Sequence, residues 1–405
     1  MQDSSCKLIV AAFTAVQVAL IFLLGYTPYP DSNGYVLLAQ QCLANGSPYP
    51  VTSLLSDYPF LWNVGAINSV ALSLLATGST VPLQLVYALM KGATAWLLFD
   101  LVRCLSGRRT AGIALLLYVA YPANYGEATS VLSEVPFIFF AMAATWMSVV
   151  RQWHAAAGVM LALGNWMRPF ALVFIAAIII FLKFRPRKCL PLLAGYLSVV
   201  LLIGTLSTMR TGLFLYQAKT GWMSLMQYSW DNSPASQQDT PDPMIIYNDT
   251  TLNVAQKDHR WKQMFLEWLP NHKADYVKQM PVKLAATYVS DNVNLCAFLD
   301  HKESRDYLYD ELSMRTLKNQ LPRLTPAQWL TLLNLFFYYL LLVGAVLSLR
   351  HFRRQTHLLS VAIIATGTLL LLLVGHGEAR FHQPFMPFII MLSAQYVAQV
   401  HERKH

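Results

Sequence analysis

The residues able to do chemistry in this chain are few, and they stand where apolar sequence would otherwise continue. Asp31, Asp57, Glu127, Glu134, Arg168, His376, Glu378, Arg380 and His382 all border or interrupt hydrophobic runs. A charge in or beside a membrane segment is costly, so each is a functional candidate by default. A carboxylate within reach of a hydroxyl can take its proton. A guanidinium offers a planar fork that matches phosphate oxygens. Several helix ends thus carry acids and bases towards one depth, where a lipid headgroup would sit.

Each residue also has a plainer reading. In "PYPDSNGYVLL", Asp31, Ser32 or Asn33 could cap a helix from Tyr35 to Asn45, whose Val36, Leu38, Ala39 and Leu43 recur at helical spacing and which stops at Gly46. The Asn33-Gly34 pair would permit a turn before it. In "SVLSEVPFIFF", Ser133 could be a cap and Glu134 a first-turn acid favoured by the macrodipole. Arg168 precedes a proline that starts a new helix and could snorkel to the interface. Arg380 could pair with Glu378 or a neighbouring histidine, and Asp100 with Arg103. Lys91 lies inside an apolar run and needs a partner that the sequence does not name.

The elements that must position these groups follow from composition. The chain has 405 residues, 55% hydrophobic and only 13% charged, too little charge to cover a water-facing surface. The bilayer is the expected solvent. About ten runs qualify as transmembrane helices, some only as short or broken ones, near 7–26, 82–103, 109–125, 132–150, 154–166, 169–184, 190–208, 327–349, 357–375 and 384–400. The expected fold class is an all-α polytopic membrane protein with a transmembrane module over 1–208, an outer loop or small domain over 209–325, and C-terminal spans over 326–405.

Charge orients that bundle. The polar stretch 209–325 carries 13 cationic and 13 acidic side chains, so the net +9 comes from the rest, which holds 17 Lys or Arg against 8 Asp or Glu. Of those 17 cations, 14 fall in alternate loops, at Lys7, 103–109, Arg151, 183–188, 350–354 and 403–404. By the positive-inside rule those loops and both termini are cytoplasmic. The nine candidate groups then share the opposite, extracytoplasmic face, where the first outer loop (27–81) lies. The basic balance reports orientation and does not imply nucleic acid. "YPFLWNVGAINSVALSLLATG", Tyr58 to Gly78, is apolar enough to span, yet counting it would reverse the charge pattern, so it reads as interfacial or re-entrant. The first apolar run lacks a small-x-small cleavage pattern and reads as an uncleaved anchor. The five cysteines have no metal spacing. Cys42 and Cys296 fall outside and could pair or remain two unrelated thiols.

The order of these segments carries a resemblance. "DSNGYVLLAQQCLANGSPY", the Tyr58–Gly78 run, "DLVRCLSGRR", "LSEVPFIFF", "LGNWMRPFALVF" and "EARFHQPFMPFIIMLSA" together look like the membrane glycosyltransferases of the C-type (GT-C) fold. They are most similar to the branch that contains protein O-mannosyltransferases and the lipid A aminoarabinose transferase. The likeness runs over the first half and the last thirty or so residues.

That resemblance implies a bundle with outer interfacial helices and one large outer loop. It implies transfer of a sugar from a polyprenyl phosphate to a glycan, lipid or protein acceptor, with inversion. Asp31 matches the family's first-loop acid, the catalytic base. Glu134 matches the acid at the head of a later span, which helps hold the acceptor or the cavity, and is expected with Asp31 among the catalytic residues. Arg168 and Arg380 resemble positions facing the donor phosphate, with Asp57, Tyr35, Glu127 and His382 among the expected donor and substrate contacts. In the aminoarabinose branch a lysine precedes the double proline of the interfacial helix, whereas this chain reads "SDYPF", so Asp57 stands where a cation is wanted and that branch's substrates are not carried over. The donor brings its own activation, so no cofactor is required, and no motif supports a metal. A transporter or flippase of lipid-linked glycans would use intramembrane charges too, but near the midplane. A glycan polymerase or ligase would share the donor chemistry.

Overall fold

A computed structural model describes residues 3–50, 62–291, 295, 324–351 and 355–402. The apolar runs fold as helices because only a helix satisfies every backbone donor and acceptor locally in lipid. Ahead of the polar stretch come α1 (Asp3–Leu24), α2 (Pro30–Ala44), α3 (Val64–Thr77), α4 (Val81–Ser106), α5 (Arg108–Ala120), α6 (Glu134–Trp146), α7 (His154–Met167), α8 (Ala171–Phe181) and α9 (Pro186–Thr211). The polar stretch adds α10 (Gly221–Asp231), α11 (Val254–Trp268) and α12 (Lys273–Tyr288). The chain closes with α13 (Pro326–Ser348), α14 (Gln355–Val374) and α15 (Met386–Glu402), the last preceded by a 3-10 segment, Ala379–Phe385. No strand occurs among the described residues.

All ten expected runs are helical, but they are not equally long. Among the described residues, six helices are long and apolar enough to cross a membrane: Asp3–Leu24, Val81–Ser106, Glu134–Arg151, Pro186–Thr211, Pro326–Ser348 and Gln355–Val374. The runs near 109–125, 154–166, 169–184 and 384–400 form helices of 13, 14, 11 and 17 residues, short of a full span by length alone. The Tyr58–Gly78 run yields α3, whose 14 residues are too few to cross, and it packs on α2. The protein is a multi-pass membrane protein.

Small residues let the helices approach closely, as membrane packing demands. Where α7 crosses α9, a Cβ on Gly158 would collide with the Leu192 carbonyl, and one on Gly195 with that of Ala155. The core between α4, α5, α6, α8 and α15 is filled by Phe99, Phe137, Phe174, Phe385 and Phe388.

The start of α2 differs from its expected place. It begins at Pro30, five residues early, so Asn33 and Gly34 lie inside the helix and make no turn before it. Gly34 is needed instead for space, since a Cβ there would lie 2.9 Å from the Trp62 ring.

Two buried or terminal charge groups anchor the bundle. Lys91 finds its partner in Glu127, at 2.9 Å, and also donates to the Asn124 carbonyl at 2.6 Å. At the other end of α1, Asp3 pairs with Arg108 at 2.8 Å and lies 3.7 Å from Arg103, while Asp100 pairs with Arg103 at 2.5 Å. Cys42 is buried and unpaired as a thiol, and Cys296 lies outside the described residues.

Breaking one side of a buried pair leaves a bare charge in low dielectric. Glu127→Gln is expected to cost about 3–5 kcal/mol, measured as a lower melting temperature in detergent. The double variant Lys91→Met/Glu127→Gln should regain most of that loss.

Candidate functional site

The site forms where α2, the head of α6, the end of α7 and the 375–385 segment meet. Asp31 stands at the second position of α2, and its release from capping has a local cause. Tyr29 is the N-cap, and Ser32 closes the turn: its Oγ accepts from the Tyr29 N–H at 2.9 Å and donates to the Tyr29 carbonyl at 2.9 Å. The orphan donor is thus satisfied without Asp31. The Asp31 carboxylate turns across the molecule and accepts a hydrogen bond from Arg380 Nη1.

Glu134 and Arg168 come together for equally local reasons. Glu134 occupies the first turn of α6, where the macrodipole favours it. Arg168 ends α7 in an extended conformation, φ −155°, as the residue before a proline should. It does not snorkel. It is buried, donating from Nη1 to Glu134 Oε1 at 2.6 Å and to Ser133 Oγ at 3.3 Å.

Arg380 joins the groups. Besides Asp31, its Nη1 lies 3.8 Å from Glu134 Oε1, and its Nε lies 2.7 Å from Glu378 Oε1 as an ion pair rather than an aligned hydrogen bond. Glu378 in turn faces His376 Nε2 at 3.4 Å. The Phe381 ring lies against both guanidiniums, 5.3 Å from Arg168 and 6.0 Å from Arg380, and the Tyr29 ring lies 5.8 Å from Arg380. These rings shield the pairs from water and add cation–π attraction.

Electrostatics follow from that enclosure. Burial pushes the Asp31 carboxyl above the usual carboxylate range, with Glu134 adding to the push and Arg380 opposing it. Burial would also raise Glu378, but His376, Arg380 and Arg168 outweigh it and bring the carboxyl from 4.5 down to about 2. Three carboxylates thus face two guanidiniums, and the two nearest neighbours differ in basicity. Tyr35 borders the cluster, its hydroxyl accepting from Asn63 Nδ2 at 3.2 Å. Burial, then Asp31 and Glu134, push that hydroxyl up to about 12, so it stays protonated and able to donate.

Two of the expected contact residues lie elsewhere. Glu127 is spent on Lys91 and does not reach the cluster. His382 points away from Arg380 into a dry network: its Nδ1 lies 2.6 Å from the Thr287 carbonyl, its Nε2 2.9 Å from Asp291, and its ring stacks on Tyr338 at 5.0 Å. Fully buried there, it cannot touch a ligand at the cluster. Asp291 also accepts from Tyr121 and from Asn334 at 3.1 Å, so the network pins the 3-10 segment that carries Arg380. Asp57 lies outside the described residues. Among the described residues, no group of three or more His, Cys, Asp or Glu could hold a metal ion.

No protein-family model matches the chain, and no curated protein does. Solved structures do. The oligosaccharyltransferase of Archaeoglobus fulgidus in its apo form aligns with a TM-score of 0.55 at 12% identity, covering 98% of this chain and 50% of that one. ArnT from Cupriavidus metallidurans, bound to undecaprenyl phosphate, aligns with a TM-score of 0.43 at 14% identity, covering 98% and 79%. The first likeness shows the fold, which is the C-type fold expected from the order of segments. The chain spans about half the length of that archaeal enzyme.

The depressed carboxyl of Glu378 has a sign that can be measured. Its stabilisation is present above its ordinary value of 4.5 and is lost as pH falls towards about 2. Over that window the melting temperature should fall less steeply in Glu378→Gln than in the unsubstituted protein.

Proposed function

We propose that the chain is an inverting glycosyltransferase that moves a sugar from a polyprenyl-phosphate donor to an acceptor hydroxyl on the extracytoplasmic face. The observation that carries this reading is the meeting of Asp31, Glu134, Arg168 and Arg380 in one buried cluster at the headgroup end of the helices. The archaeal enzyme of the same fold is itself an oligosaccharyltransferase.

In this reading Asp31 takes the acceptor hydroxyl's proton as the oxygen attacks the anomeric carbon. The bond from that carbon to the phosphate oxygen breaks, and the polyprenyl phosphate leaves with the electron pair. Burial makes Asp31 a stronger base than a free aspartate, as general-base catalysis near neutral pH requires. One Asp31 oxygen is held by Arg380, which fixes the carboxylate's direction and leaves the other for the acceptor. Arg168 and Arg380 take up the charge that grows on the leaving phosphate. Glu134 Oε1 lies 2.6 Å from Arg168 Nη1 and 3.8 Å from Arg380 Nη1 and so keeps the two guanidiniums side by side.

Orientation is supported by the far end of α1. Asp3, Arg103 and Arg108 gather there, one helix length from Asp31, in keeping with a cytoplasmic cationic end. Within the polar stretch, α12 packs on the 3-10 segment bearing Arg380, and we assign acceptor choice to the stretch 209–325.

Asp31→Asn should keep the fold and the Arg380 hydrogen bond yet lose about 10²–10⁴-fold in transfer rate, assayed with polyprenyl-phosphate sugar in proteoliposomes. Full activity would remove Asp31 as the base. For orientation, an impermeant thiol reagent added to intact cells should label Gln237→Cys, while Arg187→Cys should react only after permeabilisation.

A further inference from the structure

The polar stretch 209–325 reads in sequence as a water-facing unit, yet α12 is built inside out. Its buried face is polar, with Gln279, Lys283 and Thr287 at helical spacing turned towards the protein. From Gln279 to Val289 every exposed residue is apolar: Pro281, Val282, Leu284, Ala285, Ala286 and Val289. Val282 is 55% exposed while Lys283 beside it is 1% exposed. A helix on a water-soluble surface shows the reverse arrangement.

Each of the three buried side chains finds a partner in protein, although Gln279 Oε1 accepts no hydrogen bond among the described residues. Gln279 Nε2 donates to the Ser229 carbonyl at 3.0 Å. Lys283 Nζ lies 3.4 Å from the Leu372 carbonyl and within 5.0 and 5.2 Å of the Tyr228 and Tyr276 ring centres. Thr287 Oγ1 donates to the Lys283 carbonyl at 2.8 Å.

The depth of α12 agrees with its inverted surface. Tyr288 Oη bonds Thr368 Oγ1 at 2.6 Å, six residues below the end of α14, roughly 9 Å at 1.5 Å per residue. Tyr338 donates to the Tyr288 carbonyl at 3.0 Å, and Tyr338 lies twelve residues into α13, roughly 18 Å along it. Both partners belong to helices able to span the membrane, so the last turns of α12 lie within the spans' own length. Apart from the buried Lys283, its charges sit at the opposite end, at Lys273, Asp275 and Lys278. The exposed face of α12 thus runs into the exposed apolar faces of α13 (Leu333, Phe336, Leu340) and α14 (Leu369, Leu373).

We infer that the C-terminal part of α12 with its C-cap Val289, residues 279–289, is embedded in the site-side leaflet and takes lipid acyl chains as its partner. The helix enters at the headgroups with its charged first turns and descends beside α13 and α14. This places lipid in contact with the element that abuts the site: a Cβ on Gly377 would lie 2.7 Å from the Lys283 carbonyl oxygen and 2.8 Å from Ala286 Cβ, and Thr287 binds His382. The inference does not depend on the sugar-transfer chemistry.

The test uses the unmodified full chain in liposomes. A lipid-soluble diazirine, photolysed and mapped by mass spectrometry, should label peptides over 281–289 as strongly as those over 333–340 of α13, and several-fold more than those over 259–263 of α11. Labelling over 281–289 at the α11 level, with α13 labelled, would overturn the inference. As a second reading, a nitroxide at Val282→Cys in a Cys104→Ser background should collide more with oxygen than with a soluble nickel chelate. A nickel-dominated response like that of Lys262→Cys would equally overturn it.

Discussion

One guanidinium organises this molecule. Arg380 reaches Asp31 from the first loop, Glu134 from the head of α6 and Glu378 from its own segment, so three distant parts of the chain converge on a single side chain. Arg suits the task because it is always charged and its five donors leave in fixed directions. The remaining features at that end of the bundle serve to hold it. The Phe381 and Tyr29 rings exclude water from its pairs, and the His382–Asp291 network fixes the backbone two residues further on.

The cluster is acid-rich, and that has an energetic meaning. Three carboxylates around two guanidiniums would be a poor way to stabilise a fold, since taking charges out of water costs more than isolated pairs return. It is a reasonable way to keep two guanidiniums apart and oriented while leaving one carboxylate basic. Ser32 is a quiet contributor. By closing the first turn of α2 it leaves Asp31, the second residue of the helix, free of any capping task.

Much of the fold was legible in the sequence because bilayer solvation writes itself into hydropathy. All ten runs are helical, and the alternation of cationic loops was visible without coordinates. The convergence of Asp31, Glu134, Arg168 and Arg380 was legible only through the order of short motifs, since separations such as that of Asp31 and Arg380 leave no periodic trace. Glu127 and His382 misled for a physical reason. Position near the end of a helix tells depth but not azimuth, and each turns inward to a partner, Lys91 in one case and Asp291 in the other. Asp291 itself was hidden in a polar stretch where one more acid attracts no notice. The start of α2 was misread because an Asn-Gly pair signals a turn, whereas here the glycine makes room for Trp62.

The span between Asp31 and Arg380 is 349 residues of sequence. At a synthesis rate of about 5–20 residues per second, Asp31 emerges roughly 20–70 s before the side chain that will hold it. For that interval the aspartate has left the apolar α1, which ends at Leu24, and stands in the next helix without its partner. The 3-10 segment bearing Arg380 then packs against α12, which was made before it. The cluster is therefore also a record of assembly: the pairs that Arg380 makes can close only in a chain whose α13 and α14 are already in place.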